Sequence, residues 1–269
     1  MDGERSRKSR TFYRVRVGVL LTTLAGVLLY AVADVRARRS RNAWDHTVYV
    51  AIVVIRSGHV EPRAIDALRA RIPALEDRLA DELRRYRPGA PRPFRFQVAG
   101  PVDARERAPV PQGNGPIDLA KHAFALSRWA AEVDERAGLE TGVYESRIYL
   151  GVRQATVVDR TLVEGHSEQG GRIGIVDVEI DPESVDLPLT VVAHELLHTL
   201  GATDKYGPMG RALVPGGLAE PAHVPLYPQR FAELMARNRP VSPTEERVPE
   251  SLAEIAIGPE TAREIGWAQ

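Results

Sequence analysis

TVVAHELLHTLGATDKY, residues 190–206, is the stretch on which the reading of this chain turns. Leu189, Val192, Leu196 and Leu200 recur at helical spacing, which predicts a helix that buries one side. His194 and His198 then leave a common face one turn apart, where both imidazoles can converge on a single metal ion. Glu195 stands beside the first histidine. A carboxylate there can take a proton from a metal-activated water without being a ligand itself. Gly201 falls where such a helix would stop, because the missing Cβ permits the left-handed turn that sends the chain back. That turn lets Asp204 approach the same metal from below.

The pattern is HExxHxxGxxD, filled by His194, Glu195, His198, Gly201 and Asp204. At this composition the first five positions arise by chance in roughly one chain in a hundred, and the added Gly and Asp lower that to about one in ten thousand. The full pattern is therefore specific. It resembles the metzincin clan of zinc-dependent endopeptidases, most of which carry a third His where this chain has Asp204. The Asp form is similar to that of the small bacterial snapalysin-type peptidases. The resemblance implies an α+β, zincin-like fold, a mixed sheet with an active-site helix. It also implies Zn2+ as cofactor, held by His194, His198 and Asp204, and Glu195 as general base in hydrolysis of a peptide or protein substrate. Metzincins share a Met-containing turn beneath the metal; Met235 is the candidate by distance, whereas Met209 follows Asp204 too closely.

Other readings stand beside this one. Glu220 lies at a distance that suits the gluzincin branch, whose third ligand is a Glu on a following helix, although prolines on either side oppose a long helix there. His223 is a further alternative ligand. Tyr206 could assist an oxyanion, but it reads more simply as a packed or capping residue. A different class of function is a non-catalytic, membrane-tethered domain that binds zinc or a partner. Glu195 argues against it, because a pure binding domain needs no base at that position.

At 269 residues, with 43% hydrophobic composition, the chain can form one sizeable core plus extras. A formal net charge of zero argues against a general nucleic-acid binder. The absence of cysteine excludes disulfides, thiolate zinc ligands and a thiol nucleophile, so every metal ligand must be His, Asp or Glu. Lysine occurs only at 8, 121 and 205 while arginine abounds, a bias read as codon usage in a GC-rich bacterium.

Residues 1–16 form a basic tail and 17–34 an apolar segment, with the uncharged run VGVLLTTLAGVLLYAVA at 17–33. A helix over that run is just long enough to cross a thin bilayer. The larger basic cluster on its N-terminal side predicts that the tail stays in the cytoplasm and the rest faces outward from the bacterial cell membrane. Ala31-Val32-Ala33 also has the small-x-small pattern of a processing site, which would release the protein near Ala33. Residues 35–45 are a basic linker, and 46–269 the expected catalytic domain.

Within that domain Thr47–Ile55 predicts a strand buried on both faces, and Ala64–Tyr86 a helix with Ile65, Leu68, Ile72, Leu75, Leu79 and Leu83 on one stripe. Pro73 is expected to kink it or mark a late start. Phe94–Val98 and Arg147–Val152 predict strands, and Ile117–Ala137 a helix with Ala120, Phe124 and Val133 inward. Arg172–Ile180 alternates as a strand, and the resemblance implies that it is the edge strand lining the cleft, able to bind an extended peptide. Gln229–Arg237 is expected to be helical. Leu252, Ile255, Ile257, Ile265 and Trp267 are expected to pack back on the core.

Overall fold

β1 (Val48–Arg56) owes its burial to a β-branched apolar run with a partner strand on each side, and every residue from Val50 to Ile55 is buried. The computed structural model describes residues 2–155, 163–167 and 170–269. β2 (Phe94–Asp103) and β3 (Ser146–Gln154) flank β1 in parallel. Beyond β3 comes β5 (Ile173–Ile180), parallel to it, and then β4 (Val163–Ser167), antiparallel to β5. The order β2-β1-β3-β5-β4 makes a mixed five-stranded sheet. Gly100, at φ 86°, sits at the register shift between β1 and β2, where a Cβ would lie 2.7 Å from the Val54 carbonyl oxygen.

The edge strand is not where the sequence placed it. Arg172–Ile180 supplies β5, which is paired on both sides, and the edge on this side of the sheet belongs to β4. Five residues centred on a glycine carry too little alternation to announce a strand. Pairing with β5 is what makes them one.

α1 (Asp2–Arg41) is a single helix and a compact unit of its own, separate from Asn42–Gln269. By length and composition its Phe12–Arg41 portion is long and apolar enough to cross a membrane. In the second unit, α2 (Pro62–Tyr86) starts on a proline at its first turn and runs on through Pro73, so the late start is not found. Its stripe of Ile65, Leu68, Ile72, Leu75, Leu79 and Leu83 is buried against Val48, Val50, Ile52 and Val54 of β1. α4 (Asp186–Thr199) joins this core through Leu189, Val192 and Leu196.

α3 (Pro116–Ala137) covers the opposite face, where Ala51, Val53 and Ile55 meet Ala130 and Val133. Val133 is inward as expected. Ala120 and Phe124 are not, and Phe124 is 72% exposed. Helical periodicity reports a face but not how far the sheet beneath it extends, and only the C-terminal half of α3 is buried.

After α4 a long irregular segment leads to β6 (Ala232–Glu233) and a 3-10 turn at Leu234–Ala236. The expected helix at 229–237 does not form. The Glu233 carboxylate accepts the Ala236 N–H at 3.0 Å, and Arg237 takes a positive φ of 71°, which together close a tight turn instead. The chain continues through β7 (Arg239–Pro240), β8 (Glu246–Arg247), β9 (Ile255–Ala256) and α5 (Pro259–Glu264). Leu252, Ile255, Ile257, Ile265 and Trp267 are all buried as the pattern predicted, and Trp267 packs edge-on to Trp44 at 5.5 Å.

Candidate metal centre

α4 sends His194 and His198 off one face, and their Nε2 atoms lie 3.1 Å apart. His194 Nδ1 is 3.0 Å from the Leu234 carbonyl oxygen, and His198 Nδ1 is 2.9 Å from that of Ala202. A carbonyl only accepts, so in each neutral ring Nδ1 carries the proton and Nε2 presents a lone pair. Gly201, at φ 106°, turns the chain back beyond the helix. Asp204 Oδ1 then arrives 3.2 Å from His194 Nε2 and 3.3 Å from His198 Nε2.

Three acceptor atoms in a near-equilateral triangle repel one another unless a cation or a proton lies among them. Around a tetrahedral zinc with metal–nitrogen bonds of 2.0–2.1 Å, neighbouring donors stand about 3.3 Å apart, so this donor set fits the ion. The local field points the same way. Burial pushes the His194 imidazole down, but the hydrogen bonds to Asp204 and Leu234 and the charges of Glu195 and Asp204 outweigh it and raise its affinity for positive charge. Asp204 is held below the ordinary carboxylate range: burial raises it, and the bond to His194 and the neighbouring histidines more than compensate.

The two alternative ligands are engaged elsewhere. Glu220 forms a two-point ion pair with Arg230, one bond of it at 2.9 Å. His223 is half-buried, with Nδ1 2.6 Å from the Pro225 carbonyl oxygen. Met235 lies fully buried in the turn whose Leu234 carbonyl orients His194, and its own carbonyl accepts the Lys205 N–H at 2.9 Å. Met235 therefore sits in the same turn as the backbone carbonyl that contacts His194.

Asp204 is itself held from both sides. Thr203 donates its N–H to Glu264 Oε2 at 2.9 Å and its hydroxyl to Oε1 at 2.8 Å. The buried Lys205 ammonium lies 2.7 Å from the same Oε1. Glu264 belongs to α5, so the last helix of the chain fixes the loop that presents the carboxylate.

Glu195 lies beneath β4 and is 3% exposed. Its Oε2 accepts a hydrogen bond from the Ser167 hydroxyl. At Gly165 a Cβ would come within 2.3 Å of Oε1, so any larger residue would force the carboxylate to shift. Gly174 on β5 does the same for the helix, where a Cβ would lie 3.3 Å from that of Glu195 and 2.7 Å from Ile148 Cδ1. One nitrogen from each histidine and one Glu195 oxygen all fall within 4.8 Å of one another.

Comparison with solved structures gives a distant likeness. The chain is similar to archaemetzincin from Methanopyrus kandleri, with a TM-score of 0.32 and 17% identity over 61% of this chain and 78% of that one. No family model matches the chain, and no curated protein matches it. An overlap of that size says nothing about the site, whose assignment rests on the donor geometry above.

Gly165, Ser167, Lys205, Leu234 and Glu264 escaped the sequence reading. Only Lys205 left a trace there, as one of three lysines in a chain that otherwise uses arginine. Leu234 acts through its backbone carbonyl, which no residue type betrays.

Proposed function

We propose that residues 42–269 form a zinc-dependent endopeptidase of the metzincin type, with His194, His198 and Asp204 as metal ligands and Glu195 as general base. The observation that carries this reading is the triangle of three lone pairs with 3.1–3.3 Å sides, flanked by a carboxylate. Zinc, when bound, supplies a Lewis acid that activates a water and polarises the peptide carbonyl. Glu195 accepts the proton of the attacking water and passes it to the leaving amine nitrogen. Ser167 anchors one oxygen of that carboxylate, so the other is aimed for the transfer. The backbone carbonyls of Leu234 and Ala202 keep both imidazoles in the tautomer that offers Nε2.

An extended peptide is proposed to lie along the outer edge of β4, adding a strand beside the Glu195 carboxylate. α1 is proposed to tether this unit to a bacterial membrane, with the basic tail inside and the catalytic part outside. Asp204 as third ligand separates this reading from one that uses Glu220 or His223.

The test is metal content and cleavage of a peptide library by the full chain beside three variants. Glu195→Gln is expected to keep its zinc and lose hydrolysis, Asp204→Ala to lose zinc, and Glu220→Ala to keep both. Full zinc occupancy in Asp204→Ala would overturn the ligand set. A zinc-loaded wild type that cuts nothing would leave a partner-binding domain as the better reading.

A further inference from the structure

The turn that carries Met235 ends on Arg237, whose backbone sits at φ 71° and ψ −49°. A side chain there clashes with its own backbone, and glycine or asparagine ordinarily fills such positions. Among the described non-glycine residues, Trp44 alone shares a positive φ, and its ring fills the core. Arg237 is exposed and fills nothing. Its conformation is nonetheless enforced: its N–H donates to the Glu233 carbonyl at 3.1 Å, that of Asn238 to Ala236 at 2.9 Å, and the buried Glu233 carboxylate locks the turn. Strain that a fold retains in this way marks a position with a task.

The side chain so aimed lies over Tyr206, with Cζ 5.3 Å from the ring centroid. Tyr206 interacts in turn with Asp204 as well as Arg237, and its ring lies 6.5 Å from that of His194 at an angle of 28°. The guanidinium is therefore one side chain removed from the metal ligands. No carboxylate among the described residues neutralises it, since Asp204 is occupied by His194, His198 and Tyr206. The exposed guanidinium is a planar fork with five donors, only part of which Tyr206 engages, and beside the proposed metal site it matches a carboxylate in two-point contact.

We infer that Arg237 is a substrate-recognition residue, binding a carboxylate of the peptide close to the bond that is cut. This rests on the peptidase reading above and names the substrate class for it: peptides with an acidic side chain, or a free C-terminus, near the scissile bond. The shared chemistry is the carboxylate, and the two sources are separable.

The experiment uses the full chain in detergent, loaded with zinc and carrying Glu195→Gln so that peptides bind without being cut. Three fluorescent hexapeptide pools serve as probes: neutral with a free C-terminus, neutral with a C-terminal amide, and amidated with one Glu at each position in turn. One carboxylate-bearing pool is expected to bind about tenfold more tightly than the neutral amide. Which of the two does so identifies the source. Adding Arg237→Gln should bring all three within twofold. Equal affinities in the presence of Arg237, or a preference that survives Arg237→Gln, overturns the inference. If no pool binds the zinc-loaded protein at all, the peptidase reading falls and takes this inference with it. A second variant guards against misfolding: Arg237→Gly relieves the positive φ and should raise the unfolding midpoint by roughly 2–4 °C while erasing the preference. A lowered midpoint would mean that Arg237 serves the fold, and would overturn the proposal.

Discussion

The Nζ atom of Lys205, a side chain only 2% exposed, lies 2.7 Å from Oε1 of Glu264. The two residues are separated by 59 positions, yet together with Thr203 they bracket Asp204. Glu264→Gln removes the nearer of two carboxylates beside a buried ammonium, the other being Glu260 at 3.8 Å, and the cost is expected to be up to about 3 kcal/mol of stability. Because Asp204 then loses its support, zinc affinity should fall at least roughly tenfold. Denaturant midpoints and zinc titration against a chelator would measure both. Unchanged zinc affinity would show that the clamp serves the fold alone.

Gly165→Ala tests the approach of β4 to Glu195, the proposed base. The added Cβ would meet Glu195 Oε1 at 2.3 Å and Cδ at 2.9 Å, so the carboxylate must shift away from the place where the Ser167 hydroxyl holds its Oε2. Hydrolysis is expected to drop by about a hundredfold, as for the loss of a positioned general base. Bound zinc should stay at wild-type level by elemental analysis. Ser167→Ala, which frees the carboxylate without displacing it, should cost less.

Two carboxylates, buried Glu233 and half-buried Glu264, give opposite pH dependences. Burial pushes Glu233 up to about 7, against the N–H donors of Ala236 and Gly258 that favour its charged form. A raised carboxyl holds its proton in the folded state after the unfolded chain has released its own. Its contribution to stability is therefore full below about pH 4.5 and lost as pH rises through about 7. Urea midpoints of residues 42–269 should fall between pH 5 and 8, and Glu233→Gln, which cannot ionise, should flatten that fall.

For Glu264 the direction is reversed. Burial opposes ionisation, but the Lys205 ammonium and the Thr203 donors outweigh it and hold the group below its ordinary range. Its contribution is present above the ordinary glutamate value and lost as pH falls through the lowered one. Glu264→Gln should therefore lessen the loss of stability in acid, measured by the same midpoints from pH 5 downward.

Metal removal should expose the repulsion among His194, His198 and Asp204. Chelated protein is expected to regain about 4 kcal/mol when zinc is returned at a thousandfold excess over its dissociation constant. Asp204→Ala should regain far less. Equal gains in the two proteins would mean that the stabilising zinc binds elsewhere.

The core of the site was legible because it is local. Four residues separate His194 from His198, and a helix of fixed pitch turns that spacing into a shared face whatever surrounds it. The stripe of Leu189, Val192 and Leu196 declares which side is buried, and Gly201 declares the stop. β1 and α2 were readable for the same reason, one carrying an unbroken β-branched apolar run and the other a full stripe at helical spacing. The failures share a cause as well. Phe124 obeys the helical period, but the sheet beneath α3 covers only the helix's C-terminal half. The segment at 229–237 has helical spacing, but a buried carboxylate at Glu233 and the positive φ at Arg237 make a turn of it.

The sequence alone determined the helix, its two histidines, the adjacent Glu195 carboxylate and the glycine that ends the run, since each depends on neighbours within a turn or two. Tertiary structure alone decided what completes them. Ser167 reaches Glu195 across 28 positions, the Leu234 carbonyl reaches His194 across 40, and Glu264 reaches Thr203 across 61. Such contacts depend on which strand takes the sheet edge and where the last helix docks. Those outcomes are set by the packing of the whole core, and no local period encodes them.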